Sequence, residues 1–223
     1  MKILSIKSLF ATLTMVFAAS GALAKGNEAL LFDPLSVSVP HHSYQDNDTE
    51  TARTESAFSP EAGSEALVLR VIASSERSIR LAAYSFTSQP VVKALLDAKK
   101  RGVDVRLVVD DRGNRGPSNI AAINMMVEAE IPIRTISTYA IHHDKYIISD
   151  ERHVQNGSFN YSTAAAHSNS ENVIVNWNNP SLAAAFLLHW QSRWMQGEDA
   201  VARQYVHPAR RARSFPSGTQ YPQ

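Results

Sequence analysis

The chain has 223 residues, of which 44% are hydrophobic and none is cysteine. This length predicts one domain with extensions, and the lack of cysteine excludes disulfides, thiol chemistry and thiolate metal sites. The 22 basic residues nearly balance the 21 acidic ones, so the total charge indicates no particular class of partner.

The first 24 residues have the pattern of a secretory signal peptide. Lys2 and Lys7 give a positive start, residues 8–19 are mostly apolar, and ALA at 22–24 supplies the small residues of a cleavage site. An uncleaved membrane anchor is the less favoured alternative, because a span needs about 20 apolar residues. We therefore predict that residues 1–24 are a signal peptide and that the protein is exported, periplasmic or secreted, without stable membrane insertion. Without the two lysines the mature charge is 20 − 21 = −1.

A polar segment follows, and we predict residues 25–52 as a linker before the folded domain. It contains two prolines and little hydrophobic periodicity. The adjacent His41 and His42 match no established spacing of metal ligands, so no metal site is predicted there.

From residue 53 the hydrophobic pattern alternates between the strand and helix periods. Strands are predicted at TESAFS, SIRLAAYSF, VDVRLVVDD and IPIRTIS. Helices are predicted at EAGSEALVLRVIASS, SQPVVKALLDAKKRG and SNIAAINMMVEAE, the last with Ser118 or Asn119 as its N-cap. This alternation predicts an α/β sandwich with a largely parallel or mixed sheet.

The second half of the domain has a different order of predicted strands and helices. YAIHHDKYIISD and HVQNGS predict a β-hairpin, and a helical stretch at about 161–168, the strand ENVIVNW and the helix PSLAAAFLLHWQSRWMQ follow. Gly197 ends that helix, so the predicted domain is 53–197. Residues 198–223 form a basic tail with no acid after Asp199. Such a tail can contact nucleic acid or an acidic membrane surface, or can be a solvated flexible end.

The segment HHDKYIISDERHVQNGSFN, residues 142–160, concentrates polar groups where a plain hairpin needs apolar ones. On a strand, His143 and Lys145 would point to the same face. The turn at Gly157 and Ser158 exposes a hydroxyl and backbone amides, and Asn160 adds an amide donor. Cationic groups with neutral donors and little acid suit the stabilisation of a phosphate ester without a metal.

These residues fit one spaced pattern, H-x-K-x4-D-x6-G-S-x-N, which resembles the signature of the phospholipase D superfamily. Glu171, eleven residues after Asn160, stands where members of this type have a glutamate that orients the nucleophilic histidine. Tyr161 departs from the tryptophan of many relatives, which we expect to alter packing or substrate contact rather than chemistry. The resemblance covers most of the mature chain and implies a mixed sheet sandwiched by helices. Its pattern positions here are His143, Lys145, Asp150, Gly157, Ser158 and Asn160.

The resemblance implies two-step phosphoryl transfer at a site built from two motifs. This chain carries one motif, so we predict a two-fold homodimer whose motifs face each other across the interface. His143 of one subunit would attack phosphorus, and the partner subunit's His143 would protonate the leaving oxygen and then activate water. Imidazole suits both roles, because its unperturbed pKa of about 6.5 lies near working pH.

The resemblance also implies roles for the remaining motif residues. Lys145 and Asn160 would bind the nonbridging phosphate oxygens, Glu171 would fix the ring of His143, and Ser158 would position the phosphate or Glu171. Asp150 is expected to do orienting and structural work. No metal or other cofactor is expected.

Three further residues are candidate substrate contacts. Gly157 would contribute its backbone, and Arg112 and Arg115 in DDRGNRG could line the cleft, although a plain surface loop explains those arginines equally well.

Three functions are compatible with these residues. The leading hypothesis is an exported, metal-independent, non-specific nuclease that hydrolyses DNA, and RNA as a second polymer. The second is a phospholipase D or phosphatidyl transferase acting on lipid phosphodiesters. The third is an inactive protein that only binds nucleic acid.

Overall fold

The computed structural model of the protein describes residues 51–204. The predicted signal peptide, most of the predicted linker with its histidine pair, and residues 205–223 of the predicted tail lie outside this part of the chain. The secondary structure of the described part is β1 (Arg53–Ser59), α1 (Ser64–Ser74), β2 (Ser78–Ala83), α2 (Gln89–Lys100), β3 (Asp104–Asp110), a 3-10 turn (Arg112–Asn114), α3 (Pro117–Glu128), β4 (Ile133–Ile136), β5 (Lys145–Ser149), β6 (His153–Gly157), α4 (Thr163–His167), β7 (Glu171–Trp177), α5 (Pro180–Gln196) and β8 (Glu198–Asp199).

The strands form one mixed sheet in the order β1-β7-β6-β5-β2-β3-β4-β8. β2, β3 and β4 are parallel neighbours, and the other pairs are antiparallel. Helices α2 and α3 connect the parallel strands, as a crossover between parallel neighbours requires. The mixed α/β sheet predicted from the sequence is confirmed.

Helices cover both faces of this sheet. On one face, residues of α1, α2 and α3 such as Val71, Leu95 and Met126 pack with the inward side chains of the strands. On the other face, α5 packs over Tyr146 and Ile148 of β5 through its buried Trp190. The two faces explain the near-continuous apolar runs of β2 and β3, which are buried on both sides.

The helix ends follow their local sequence. Asn179 caps α5 by accepting a hydrogen bond from the Leu182 N–H at 3.1 Å, and the helix ends before Gly197 as predicted. α3 begins earlier than predicted, with Gly116 at its N-cap rather than Ser118 or Asn119, because Pro117 suits the first helical position. No helix within residues 51–204 is both long enough and apolar enough to cross a bilayer.

The sheet continues past the predicted domain limit at Gly197. β8 pairs with β4, and the Arg134 guanidinium binds the Asp199 carboxylate at 2.7 Å. The Ala200 N–H then donates to the Ile133 carbonyl at 2.9 Å. The first residues of the predicted tail therefore belong to the folded domain.

One edge of the sheet gathers the strand ends that carry the motif. β2 and β6 end there while β5 and β7 begin there, since these strands alternate in direction. Ala83 pairs with Lys145, and Gly157 pairs with Val173. We refer to this border as the catalytic edge.

Candidate active site

The HxK part of the motif lies at the start of β5. Because β5 begins at Lys145, His143 belongs to the irregular segment before it, and the predicted common strand face for the two residues is not formed. The cause is a long-range contact: the backbone N–H of His142 donates to Asp110 Oδ2 at 2.8 Å instead of joining a ladder. The His143 side chain is exposed at the catalytic edge.

Lys145 is a buried ammonium, with 7% of its surface exposed. Its Nζ donates to the His143 carbonyl at 2.9 Å and lies 5.4 Å from the centroid of the Tyr84 ring. Burial lowers the pKa of Lys145, while the carboxylates of Glu171 and Asp144 oppose that shift. A poorly hydrated ammonium beside an exposed imidazole is well suited to bind a phosphate oxygen.

Gly157 makes the turn at the end of β6. Its φ of 149° is in a region that residues with a side chain rarely adopt, and an added Cβ would lie 2.2 Å from the Asn172 carbonyl oxygen. This close approach lets the Ser158 N–H donate to the same carbonyl at 3.1 Å. Glycine is therefore required where β6 meets β7.

Ser158 is hydrogen-bonded to Glu171. The Ser158 hydroxyl donates to Glu171 Oε2 at 2.6 Å and accepts from the Asn172 N–H at 3.0 Å, and Asn169 donates to Glu171 Oε1 at 2.9 Å. Of the two predicted roles of Ser158, these contacts match the positioning of the glutamate. The predicted bond between Glu171 and His143 is not among the hydrogen bonds found within residues 51–204, so it stays a prediction.

Asn160 brings a polar side chain to the same turn. Its Oδ1 is buried and has no hydrogen-bond partner within the described part of the chain, although buried side-chain oxygens are usually paired. Its backbone carbonyl is occupied by the Ser162 N–H at 2.7 Å. This unpartnered oxygen is an acceptor, whereas a phosphate oxygen needs the Nδ2–H donors of the amide, so the predicted role of Asn160 in binding phosphate stays a prediction.

Asp150 lies at the opposite end of β5 from Lys145. Its carboxylate, 7% exposed, accepts three backbone hydrogen bonds at the turn between α1 and β2, from Glu76 at 3.0 Å, Arg77 at 2.7 Å and Ser78 at 2.8 Å. These contacts correspond to the structural part of its predicted role. The structure does not bring Asp150 together with the other motif residues.

The two predicted substrate-binding arginines follow β3 at the catalytic edge. Both are exposed, and Arg112 Nη1 lies 3.4 Å from the Ala140 carbonyl in the segment that leads to His143. Arg115 forms an ion pair with Asp111. Their contact with substrate stays a prediction.

Sequence patterns missed one buried acid of the site, Asp110. Its Oδ1 accepts from the Gly113 N–H at 2.5 Å, and its Oδ2 holds the His142 N–H. One carboxylate therefore fixes both the loop after β3 and the segment that carries His143. The available signal was an acid at the end of the buried strand VDVRLVVD.

His189 of α5 pairs with Asp144, the residue between His143 and Lys145. His189 Nε2 lies 2.9 Å from Asp144 Oδ2, and the buried His142 Nδ1 lies 3.5 Å from the same oxygen. Burial lowers the pKa of His142, with Asp144 and Asp110 opposing the shift. Asp144 thus joins α5 to the catalytic edge.

A protein-family model described as "Cardiolipin synthase, PLD-like domain" matches residues 68–194. The chain belongs to the phospholipase D superfamily. It is 31% identical over 150 residues to "Phospholipase D" of Rickettsia conorii, covering 67% of this chain and 74% of that protein. It is 27% identical over 177 residues to "Mitochondrial cardiolipin hydrolase" of Chlamydomonas reinhardtii, covering 79% of this chain and 77% of that protein.

A solved structure extends this similarity to the fold. Nuc from Salmonella typhimurium, a phospholipase D family member, is 51% identical, with a TM-score of 0.67 over 67% of this chain and 99% of Nuc. The resemblance predicted from the motif is confirmed. This member of the phospholipase D superfamily is accordingly a phosphodiesterase, a hydrolase of phosphate diesters.

Tyr161, which stands where many relatives have tryptophan, places a polar hydroxyl in the core. Tyr161 is fully buried, and its hydroxyl donates to Gln155 Oε1 at 2.8 Å. Burial raises the pKa of Tyr161, so its hydroxyl stays protonated. Within residues 51–204 the phosphodiesterase has no group of three or more His, Asp or Glu side chains arranged to hold a metal ion.

Proposed function

We propose that the protein is a nuclease that hydrolyses DNA, and RNA as a second polymer, through a phosphohistidine on His143 and without a metal ion. The observation that carries this proposal is the open catalytic edge, where the buried ammonium of Lys145 donates to the carbonyl of exposed His143 and where Ser158 is exposed as well. A polymer backbone can reach such a surface site without threading into a cavity. The chain is 51% identical to Nuc, whose name suggests a nuclease, and this identity supports nucleic acid as the substrate.

The chemistry proceeds in two displacements at phosphorus. In the first, a ring nitrogen of His143 attacks, the P–N bond forms, and the P–O bond to the leaving nucleotide breaks as that oxygen gains a proton. In the second, water attacks phosphorus, the P–N bond breaks, and the imidazole is regenerated. Lys145 and Asn160 hold the nonbridging oxygens in both steps, which stabilises the charge that develops there.

The proton donor for the leaving oxygen comes from a second copy of the chain in this proposal. The face of β1 and β7 that α5 leaves open has Phe58 56% exposed and Ile174 36% exposed. Phe58 pairs with Asn172, whose N–H donates to Ser158, so these two exposed apolar side chains adjoin the motif. A two-fold partner seated here would bury apolar surface and bring the two motifs towards each other.

Subunit mixing tests the shared site. Parent and His143→Ala chains are folded together in varied proportions, and phosphodiester cleavage is measured at constant total protein. If each site needs both histidines, activity falls as the square of the parent fraction. If the sites are independent, activity falls in direct proportion to the parent fraction. A proportional decline, or full activity of a monomer in light scattering, rules out the paired site.

The nuclease itself is tested with residues 25–223, plasmid DNA and single-stranded RNA in excess EDTA. We expect cleavage by the parent and by His167→Ala, and none by His143→Ala. His167 is a matched control, because it is an exposed histidine that pairs with Glu61 on the surface. Cleavage that EDTA abolishes, or that survives His143→Ala, contradicts the proposed mechanism.

Lipid phosphodiesters are the second candidate substrate. Ile141, two residues before His143, is 53% exposed, and an apolar side chain at this place can contact a lipid. The names of the Rickettsia and Chlamydomonas relatives point the same way. Hydrolysis of phosphatidylcholine or cardiolipin vesicles without cleavage of DNA or RNA would favour it, and DNA binding without turnover that His143→Ala leaves unchanged would favour the inactive binding protein.

A further inference from the structure

Tyr84 contacts both halves of the HxK motif. It follows β2 directly, where Ala83 pairs with Lys145. Its ring centroid is 4.9 Å from that of His143, with the planes tilted by 59°, and Lys145 Nζ is 5.4 Å from the same centroid. One aromatic side chain therefore lies against the imidazole and the ammonium together.

The loop after β3 packs against the Tyr84 ring. A Cβ on Gly113 would lie 2.8 Å from Tyr84 Cε2, so a side chain there would displace the ring. Asn114 Nδ2 donates to the Tyr84 carbonyl at 2.6 Å. Asp110 accepts hydrogen bonds from the backbone N–H groups of both Gly113 and His142. One carboxylate therefore fixes the loop that contacts the Tyr84 ring and the segment that carries His143.

We propose that Tyr84 is a positioning residue, whose ring sets the orientation of the His143 imidazole and holds Lys145 beside it. The inference rests on the proposed use of His143 as the nucleophile. Within residues 51–204 the His143 ring has no hydrogen-bond partner, so the contact with Tyr84 limits its rotation. The same ring attracts the Lys145 ammonium, whose Nζ lies 5.4 Å from its centroid.

The test compares Tyr84→Leu and Tyr84→Phe with Tyr139→Leu. Tyr139 is a matched control, since it is a half-buried tyrosine with a cation, Arg193, 4.8 Å from its ring and a hydroxyl bound to Gln196. With bis(p-nitrophenyl) phosphate as the phosphodiester, Tyr84→Leu lowers kcat about 10- to 100-fold with little change in KM, because a misplaced nucleophile slows chemistry more than binding. Tyr84→Phe and Tyr139→Leu keep kcat near the parent value. Parent-like kcat in Tyr84→Leu, or equal losses in the leucine and phenylalanine variants, overturns the proposal.

A second readout does not depend on turnover. The Cε1–H resonance of His143 is assigned by its loss in His143→Ala, and it is expected to move in Tyr84→Leu but not in Tyr84→Phe or Tyr139→Leu. If the parent cleaves no phosphodiester, the proposed function fails while this spectrum still decides the ring contact. If Tyr84→Leu does not fold, Gly113→Ala replaces it, because its methyl group displaces the ring and should shift the resonance. A resonance that stays in place in all variants overturns the proposal.

Discussion

Replacing Asp150 should cost stability and leave the chemical step intact. Asp150→Ala removes the acceptor of three backbone N–H groups, those of Glu76, Arg77 and Ser78. The bond from Ser78 is buried and those from Glu76 and Arg77 are part-buried. A buried donor left without a partner costs about 1 kcal/mol or more and a part-buried one costs less, so about 3 kcal/mol is the upper limit for the three together. For a domain of this size, a loss at that limit lowers the melting midpoint by roughly 6 to 12 °C. Asp150→Asn retains one carbonyl oxygen and should lose about 1 to 2 kcal/mol.

The assay combines thermal unfolding with turnover measured well below the midpoint of each variant. Asp97→Ala is the control, because it also removes one negative charge but from a partly exposed aspartate whose carboxylate pairs with Lys93 on α2. We expect a lowered midpoint and parent-like kcat for both Asp150 variants, and a parent-like midpoint for the control. A steep loss of kcat at an unchanged midpoint would refute the structural interpretation and make Asp150 part of the chemistry.

Lys145 and Gly157 give two further predictions. Because burial lowers the pKa of Lys145 below its ordinary value of 10.5, kcat/KM should fall on the alkaline side at a pH below that value, as the ammonium loses its proton. Lys145→Arg, which stays charged, should move that decline to higher pH in a pH–rate profile, and an unmoved decline assigns it to another group. Gly157→Ala should lose about 1 to 3 kcal/mol of folding free energy and most of its kcat, because the new Cβ collides with Asn172. The control Gly102→Ala also has a positive φ, 93°, but open space, so equal kcat losses in both variants would contradict this account.

Local patterns predict most of the fold. The helix and strand periods differ clearly in SQPVVKALLDAKKRG and VDVRLVVDD, and both elements form where expected. β8 has two residues and no hydrophobic pattern, so nothing local indicates that it pairs with β4. The start of α3 was missed for a different reason, since Ser118 is a good cap but Pro117 before it is a better first residue.

The site was predictable where its residues are close in sequence. Lys145, Ser158 and Asn160 lie on one hairpin and its turn, so their fixed spacing implies proximity. Contacts between distant segments were not predictable: Asp110 binds His142 across 32 positions, and Tyr84 lies nearly 60 residues before His143. These contacts also explain why His143 leaves the strand that its alternation with Lys145 suggests.

The motif is divided between the two ends of β5, and this division affects how distant relatives should be interpreted. Asp150 anchors the strand to the turn between α1 and β2, whereas His143 and Lys145 occupy the catalytic edge. A homologue that has lost its catalytic residues would still gain stability from the aspartate. Retention of that aspartate in a divergent genome sequence is therefore a sign of preserved architecture, and an active enzyme has to be inferred from the histidine and lysine.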